Sequence, residues 1–304
     1  FFLFIIEYIV YTVIFIIYLM IDKLKMYCIS IDKNDLDLIE SLKYTPVGLG
    51  NTNFSDKWLK DSGGDNISHK NKWYSELTFH YYFWKNQLVS IADNTWIGFC
   101  AYRDIWVNQK EYIKYKNDPI NFQNNNTHRY KEINDIALKE VPDEWNKFDT
   151  ILGDEILLSN MKLIKIIKYG KLSLLRNPKA ILKSGRTIKW HFDTFHGNGL
   201  IDQAANLLEE SERKDFINFI NEKNSFNRGN MFICRSKDII NKFYNSLFPW
   251  LERCEKKFGF DLKGYGQTRI YAFLAERYIP FWFKKHSKYL VWPALSFNIP
   301  RKKI

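Results

Sequence analysis

Three short stretches of the 304-residue chain carry the groups best able to do chemistry. FLAER ends on Glu276 and Arg277, HFDTFH holds His191, Asp193 and His196, and NRGNMF sets Arg228, Gly229 and Asn230 before an apolar run that ends at Cys234. A carboxylate beside a guanidinium can take a proton from a hydroxyl while its neighbour offsets negative charge. Glu276 is the first candidate for such a base, and Asp193, flanked by two imidazoles, is the second. Glu276 reads equally as half of a structural pair with Arg277 or Arg269. If HFDTFH is extended, His191 and Asp193 share a face, but no clear third metal ligand accompanies them, so an exposed loop is the competing reading. Asn230 can bond two hydroxyls at once and Gly229 lets backbone approach a ligand. A routine turn would use the same residues.

The elements that must hold these groups follow from periodicity. MYCISI (26–31) is a β-branched run emptying into a polar loop, and TWIGFCAYRD (95–104) and FDTIL (148–152) read as buried strands. A helix is expected from about Ser75, with Leu77, Tyr81 and Trp84 spaced four and three apart. Between 201 and 223 a helical face carries a break between Leu208 and Phe216. Ser236 reads as the N-cap of a helix through Ile240, Phe243, Leu247 and Leu251, which Pro249 should kink or restart. GYGQTRIYAFLAERYIPFWF gives a Gly-rich turn, a helix over 268–277 and an aromatic exit. Strands alternating with helices predict an α/β sheet whose polar strand ends, at Ser30 to Asp32, Tyr102 to Asp104 and Arg228 to Asn230, gather in one crevice.

Composition narrows the partners. A formal charge of +11 favours anionic ligands such as nucleotide diphosphates or acidic headgroups. No zinc-finger spacing, RNP-like aromatic motif or dense basic helix supports a nucleic-acid partner. Cys28, Cys100, Cys234 and Cys254 form no C-x-x-C pair and read as reduced core residues of a cytosolic protein. Residues 1–25 open on a nearly unbroken apolar run followed by Lys23 and Lys25. They read either as a membrane anchor, placing the remainder at the inner face, or as an extension ahead of a start at Met20 or Met26. One domain is expected over 26–290, with a basic tail over 291–304.

The order of motifs is more specific. SHKNKWYSELTFHYYFWKNQ, TWIGFCAYRDIW, FDTIL, GNMFICRSKDIINKFYNSLFPWLERCEKKF and GYGQTRIYAFLAERYI, in that sequence, resemble a bacterial family first catalogued as a domain of unknown function in capsular polysaccharide clusters. The resemblance covers about Met26 to Lys285. Its members are regarded as glycosyltransferases, some of them galactofuranosyltransferases. It implies a GT-A-like fold, a single mixed sheet flanked by helices, and a hexosyl transfer, expected to be inverting, from a UDP-sugar to a glycan or lipid-linked glycan. The substrate-binding set expected on this basis is Lys70, Glu76, Lys85, Asn86, Tyr102, Arg103, His196, Asn230, Arg269 and Arg277. The family has His-Tyr-Arg-Arg where this chain has Ala101-Tyr102-Arg103-Asp104. The missing His leaves a non-catalytic nucleotide-sugar or glycan binder as the alternative.

In GT-A enzymes a Ser-Asp-like pair ahead of the central strand faces the nucleotide, and the strand ends at the diphosphate, often on a metal-binding D-x-D. Ser75-Glu76 and Tyr102-Arg103 occupy those places here. Without D-x-D, a guanidinium can offset diphosphate charge. Asp104 alone offers a carboxylate to Mg or Mn.

Overall fold

The computed structural model describes residues 23–50, 52–93, 95–117, 133–161, 175, 178–182 and 185–297. Most of the apolar N-terminal run and the last seven residues lie outside them. The strands are β1 (Lys23–Ser30), β2 (Thr45–Gly48), β3 (Leu59–Lys60), β4 (Thr95–Ala101), β5 (Asp104–Trp106), β6 (Thr150–Leu152), β7 (Glu155–Leu157), β8 (Ser225–Asn227), β9 (Phe232–Cys234), β10 (Tyr289–Val291) and β11 (Ala294–Ser296). Nine of them form one mixed sheet in the order β10-β6-β9-β4-β1-β2-β3, with β5 and β11 attached beside β4. β1 runs parallel to both β2 and β4, while β9 lies antiparallel between β4 and β6. β7 and β8 make a separate two-stranded ribbon.

Alternation along the central strands builds two cores. Tyr27, Ile29, Ile97, Phe99 and Phe232 face one side, and Met26, Cys28, Trp96, Cys100 and Ile233 the other. The first face is covered by α1 (Leu77–Tyr82), α2 (Lys237–Phe258) and α3 (Ile270–His286). The second packs beneath Trp58, Trp106, Trp145 and Trp292. Side chains of the flanking strands leave room only for glycine at one central point of β4: a Cβ on Gly98 would stand 2.2 Å from Sδ of Met26, its partner on β1. All four cysteines are buried and unpaired. Among the described residues no helix is long and apolar enough to cross a membrane.

Several boundaries differ from expectation. The sheet begins at Lys23 rather than Met26, and β11 pairs with β5 inside the stretch expected to be a tail. α2 runs without interruption through Pro249, because eight buried side chains along it outweigh one missing N–H. α3 likewise continues past Arg277 and through Pro280 to His286. HFDTFH is neither extended nor a loop. It lies in the helix Ile188–Phe195, capped by the Thr187 side chain, which accepts from Trp190 N–H, and held by buried Ile188, Trp190 and Phe192.

Candidate active site

The chain leaves β1 toward β2 and β3 on one side and resumes at β4 on the other, so the carboxyl ends of β1 and β4 part at a topological switch point. Ligands of open α/β sheets bind in such crevices. A cleft of about 420 Å³ opens there, lined by Ser30 and Ile31 after β1, by Tyr102, Arg103 and Asp104 after β4, and by Glu76, Arg228, Gly229, Asn230, Arg269 and Glu276. Six of the expected site residues therefore converge: Glu76, Tyr102, Arg103, Asn230, Arg269 and Glu276.

Local backbone explains how. Ser75 adopts φ 52°, ψ −132°, a conformation that costs a non-glycine residue of order 1–3 kcal/mol. Its carbonyl is held by Asn71 Nδ2 at 3.0 Å and Thr78 Oγ1 at 3.1 Å. The kink ends the helix Asn71–Tyr74 and sets Glu76 on the cleft just before α1. Glu76 Oε1 accepts from Asn230 Nδ2 at 2.9 Å, and the same amide donates to Ala272 O at 3.2 Å. Gly229, at φ +61°, donates its N–H to Glu276 Oε1 at 3.2 Å. The polar entrance to β9 thus ties together the segment before α1, the turn itself and α3. Asn230 Oδ1 is buried with no protein partner.

Asp104 sits where a D-x-D would end. Its Oδ1 accepts from Ser296 Oγ and lies 3.6 Å from Arg228 Nη1, and Oδ2 lies 3.5 Å from Arg103 Nε. Among the described residues no three His, Cys, Asp or Glu side chains converge as a metal site. A carboxylate already shared by two guanidinium groups and a hydroxyl does not fit a Mg or Mn ligand set.

The other expected residues lie elsewhere. Lys70 Nζ pairs with Glu255 at 2.7 Å, and Lys85 Nζ covers the Trp84 ring at 3.5 Å from its centroid. Asn86 Nδ2 bonds the carbonyls of Tyr82 and Asp65. Asp193 accepts from Gly199 N–H at 2.9 Å and pairs with Lys189 at 3.0 Å, so both its oxygens serve the local fold. Arg277 is 1% exposed and His196 7%, both behind the cleft rather than in it. Burial, with Arg277 beside it, pushes the His196 imidazole down to about 3. Ser30, Asp104, Arg228 and Gly229, read from the sequence as polar strand ends outside the expected substrate-binding set, also line the cleft. The signal for Arg228 was a basic side chain two positions before Asn230 at a strand entrance.

A second, larger cavity of about 790 Å³ stands over the ends of β2 and β3 and shares Asn71 with the cleft. Trp73, Phe54, Lys60 and Asp61 line it. Asp61 is buried, which raises its carboxyl above the usual range, and its Oδ2 has no protein partner.

Gly266 packs against the end of the helix that leads to His196. A Cβ there would lie 2.1 Å from Phe195 O, a backbone atom that cannot swing away, and Gly266 O is within 3.2 Å of His196 Nδ1. Gly266→Ala should therefore lose about 1–3 kcal/mol in urea unfolding. A variant as stable as the parent would show that this approach is not tight.

The fold and cleft define a GT-A-like α/β protein. The chain belongs to the family described as a domain of unknown function (DUF4422), whose model matches residues 25–287. Among solved structures it is similar to the apo structure of WbbM, a bifunctional glycosyltransferase, at 18% identity and a TM-score of 0.57, with 92% of this chain and 46% of that chain covered. The chain thus spans about half the length of that relative. No curated protein matches it by sequence.

Proposed function

We propose that this chain transfers a sugar from a nucleotide-diphosphate donor to a hydroxyl of a glycan acceptor. The observation that carries this reading is the cleft at the switch point, where Arg103, Arg228 and Arg269 stand with the carboxylate of Glu276. The acceptor oxygen attacks the anomeric carbon, Glu276 takes the hydroxyl proton, and the bond from the anomeric carbon to the diphosphate oxygen breaks. Attack opposite the leaving group inverts the anomeric centre. Guanidinium groups compensate the departing charge in the role a cation has in other enzymes. Asn230 and Gly229 border the acceptor side, and the adjoining cavity, with the Trp73 ring and the Asp61 carboxyl, accommodates the nucleoside.

A UDP-sugar is the donor class, with galactofuranose first in order because of the motif resemblance. The acceptor is a growing surface polysaccharide, free or lipid-linked, extended at the cytoplasmic face of the membrane. Incubating the protein with a panel of nucleotide sugars, with and without acceptor glycans, and detecting released nucleotide tests the reading. The replacement of His by Ala101 favours a second reading, a nucleotide-sugar binder without turnover. Affinity with no nucleotide release from any donor would select it.

Arg103 is 59% exposed at the cleft mouth, where a bound donor would desolvate it. Arg103→Ala should weaken nucleoside-diphosphate binding by about 1.5–3 kcal/mol, the range of a lost charge-assisted hydrogen bond. Calorimetry showing unchanged affinity would remove Arg103 from the donor site.

A further inference from the structure

Behind the cleft, Arg277 is a buried cation whose two terminal nitrogens both have partners, while its Nε is buried without one. Its Nη1 pairs with Glu276 Oε2, and also lies 3.4 Å from Phe273 O. Its Nη2 lies 3.2 Å from His191 Nδ1 and 3.5 Å from His196 Nε2. The guanidinium carbon stands 4.2 Å from the centroid of the Phe226 ring. Arg is a donor only, so each imidazole nitrogen facing it must offer a lone pair. For His196 the geometry agrees: Nδ1 lies 3.2 Å from Gly266 O and donates there, leaving Nε2 as the acceptor. His196 also stacks on Phe273, 3.9 Å between centroids, which fixes the ring from α3 itself. Burying an arginine is costly unless it is paired and hydrogen-bonded. Here two neutral histidines orient it, an aromatic face covers it, and the carboxylate that balances it is the one that enters the cleft.

We propose that Arg277, aimed by His191 and His196, is a positioning residue that fixes the Glu276 carboxylate, and that it does not touch substrate. Two restraints then hold Glu276: Gly229 N–H on Oε1 from the strand entrance and Arg277 on Oε2 from inside the fold. Both restraints come from the fold and not from a ligand, which suits a base that must meet a hydroxyl within hydrogen-bond reach. Lysine at 277 would keep the charge but could not present two parallel donors while holding two imidazoles.

This inference rests on the reading of Glu276 as the base, and the test separates the two. Arg277→Met, Arg277→Lys and His191→Phe are compared with the parent in steady-state turnover, donor affinity and amide hydrogen exchange of residues 228–230. Arg277→Met should lower kcat at least 30-fold with donor affinity within threefold, and should cause no further loss when added to Glu276→Gln. Arg277→Lys should recover only part of that rate, and His191→Phe, at a partly exposed position, should lower kcat severalfold. Exchange at 228–230 should speed up in all three. If Arg277→Met does not fold, the other two variants decide. Donor affinity falling in step with rate would make Arg277 a binding residue. Unchanged kcat, or full additivity with Glu276→Gln, would overturn the proposal. Should the parent turn over no donor, the functional reading fails, and the exchange measurement alone decides: unchanged protection at 228–230 ends the positioning role as well.

Discussion

Glu276→Gln should reduce nucleotide release at least 100-fold while leaving donor affinity nearly unchanged. The size follows from general base catalysis, which contributes roughly 10²–10⁴ in rate. Gln keeps the shape with one acceptor oxygen in place of two, and it cannot take a proton. The substitution also carries a stability cost that an exposed pair would not. Arg277 is 1% exposed and pairs with Glu276, so the amide leaves a buried cation without its counter-charge. The single amide oxygen can accept from the guanidinium or from Gly229 N–H but not from both, because the NH2 then faces the other donor, and the expected loss is about 3 kcal/mol. Rate must therefore be expressed per folded molecule, with the folded fraction taken from urea titrations of each variant. If that rate stays within threefold of the parent, Glu276 is scaffold. Asp193 does not inherit the role, because it does not line the cleft.

What the sequence made legible divides along physical lines. β1 and β4 could be read because alternation is local: Tyr27 and Ile29 against Met26 and Cys28, Ile97 and Phe99 against Trp96 and Cys100. The pairing of those strands could not be read from periodicity. β9 enters antiparallel between β4 and β6, from about 80 residues beyond the nearer of them in the chain, and nothing in Phe232–Cys234 names its neighbours. Glu76, Asn230 and Glu276 were recognisable by type and context, yet their mutual bonding depends on that pairing and on the kink at Ser75. Arg277 was misplaced for a specific reason. Arginine is rarely fully buried, and a helix ended at Arg277 would have left it at an exit. Since α3 continues through IPFWF, Arg277 lies in mid-helix, facing Phe226 and two histidines.

The motif residues Lys70, Lys85 and Asn86 lie outside the cleft. Their place within a family-like stretch suggested ligand contacts, whereas each is satisfied by the fold: an ion pair to α2, a cation over Trp84, and a clasp on the loop at Asp65. HFDTFH alternates apolar and polar in part, which mimics a strand. The Thr187 cap and the i, i+4 pair Ile188 and Phe192 decide for helix.

Stability should fall steeply on mild acidification, and the two buried histidines give the sign. Burial lowers both His80 and His196 from 6.5 to about 3, with Arg277 adding to the effect at His196 and a hydrogen bond to the Asn230 backbone opposing it at His80. Between those values the unfolded chain binds protons that the folded protein refuses, so their contribution is intact above pH 6.5 and declines as pH falls toward 3. Each group costs about 1.4 kcal/mol per pH unit in that window. At pH 4.5 the pair together removes about 5 kcal/mol, a large share of the ~5–15 kcal/mol typical of a domain. Glu155, which burial raises but Lys284 and Ser225 hold below its ordinary carboxylate range, starts to lose its contribution only as pH falls below about 4.5, and Asp61, held above its range by burial, works weakly in the opposite direction. Urea unfolding between pH 7.5 and 4.5 should therefore show a falling midpoint, with about half the slope in His80→Gln, where the amide can still bond the Tyr244 hydroxyl that lies 2.8 Å from His80 Nδ1. A flat midpoint across that range would mean that both imidazoles accept protons in the folded state. Because the folded protein keeps His196 neutral down to about pH 3, its hold on Arg277 should persist across this range, and the loss of activity should follow the loss of folded molecules.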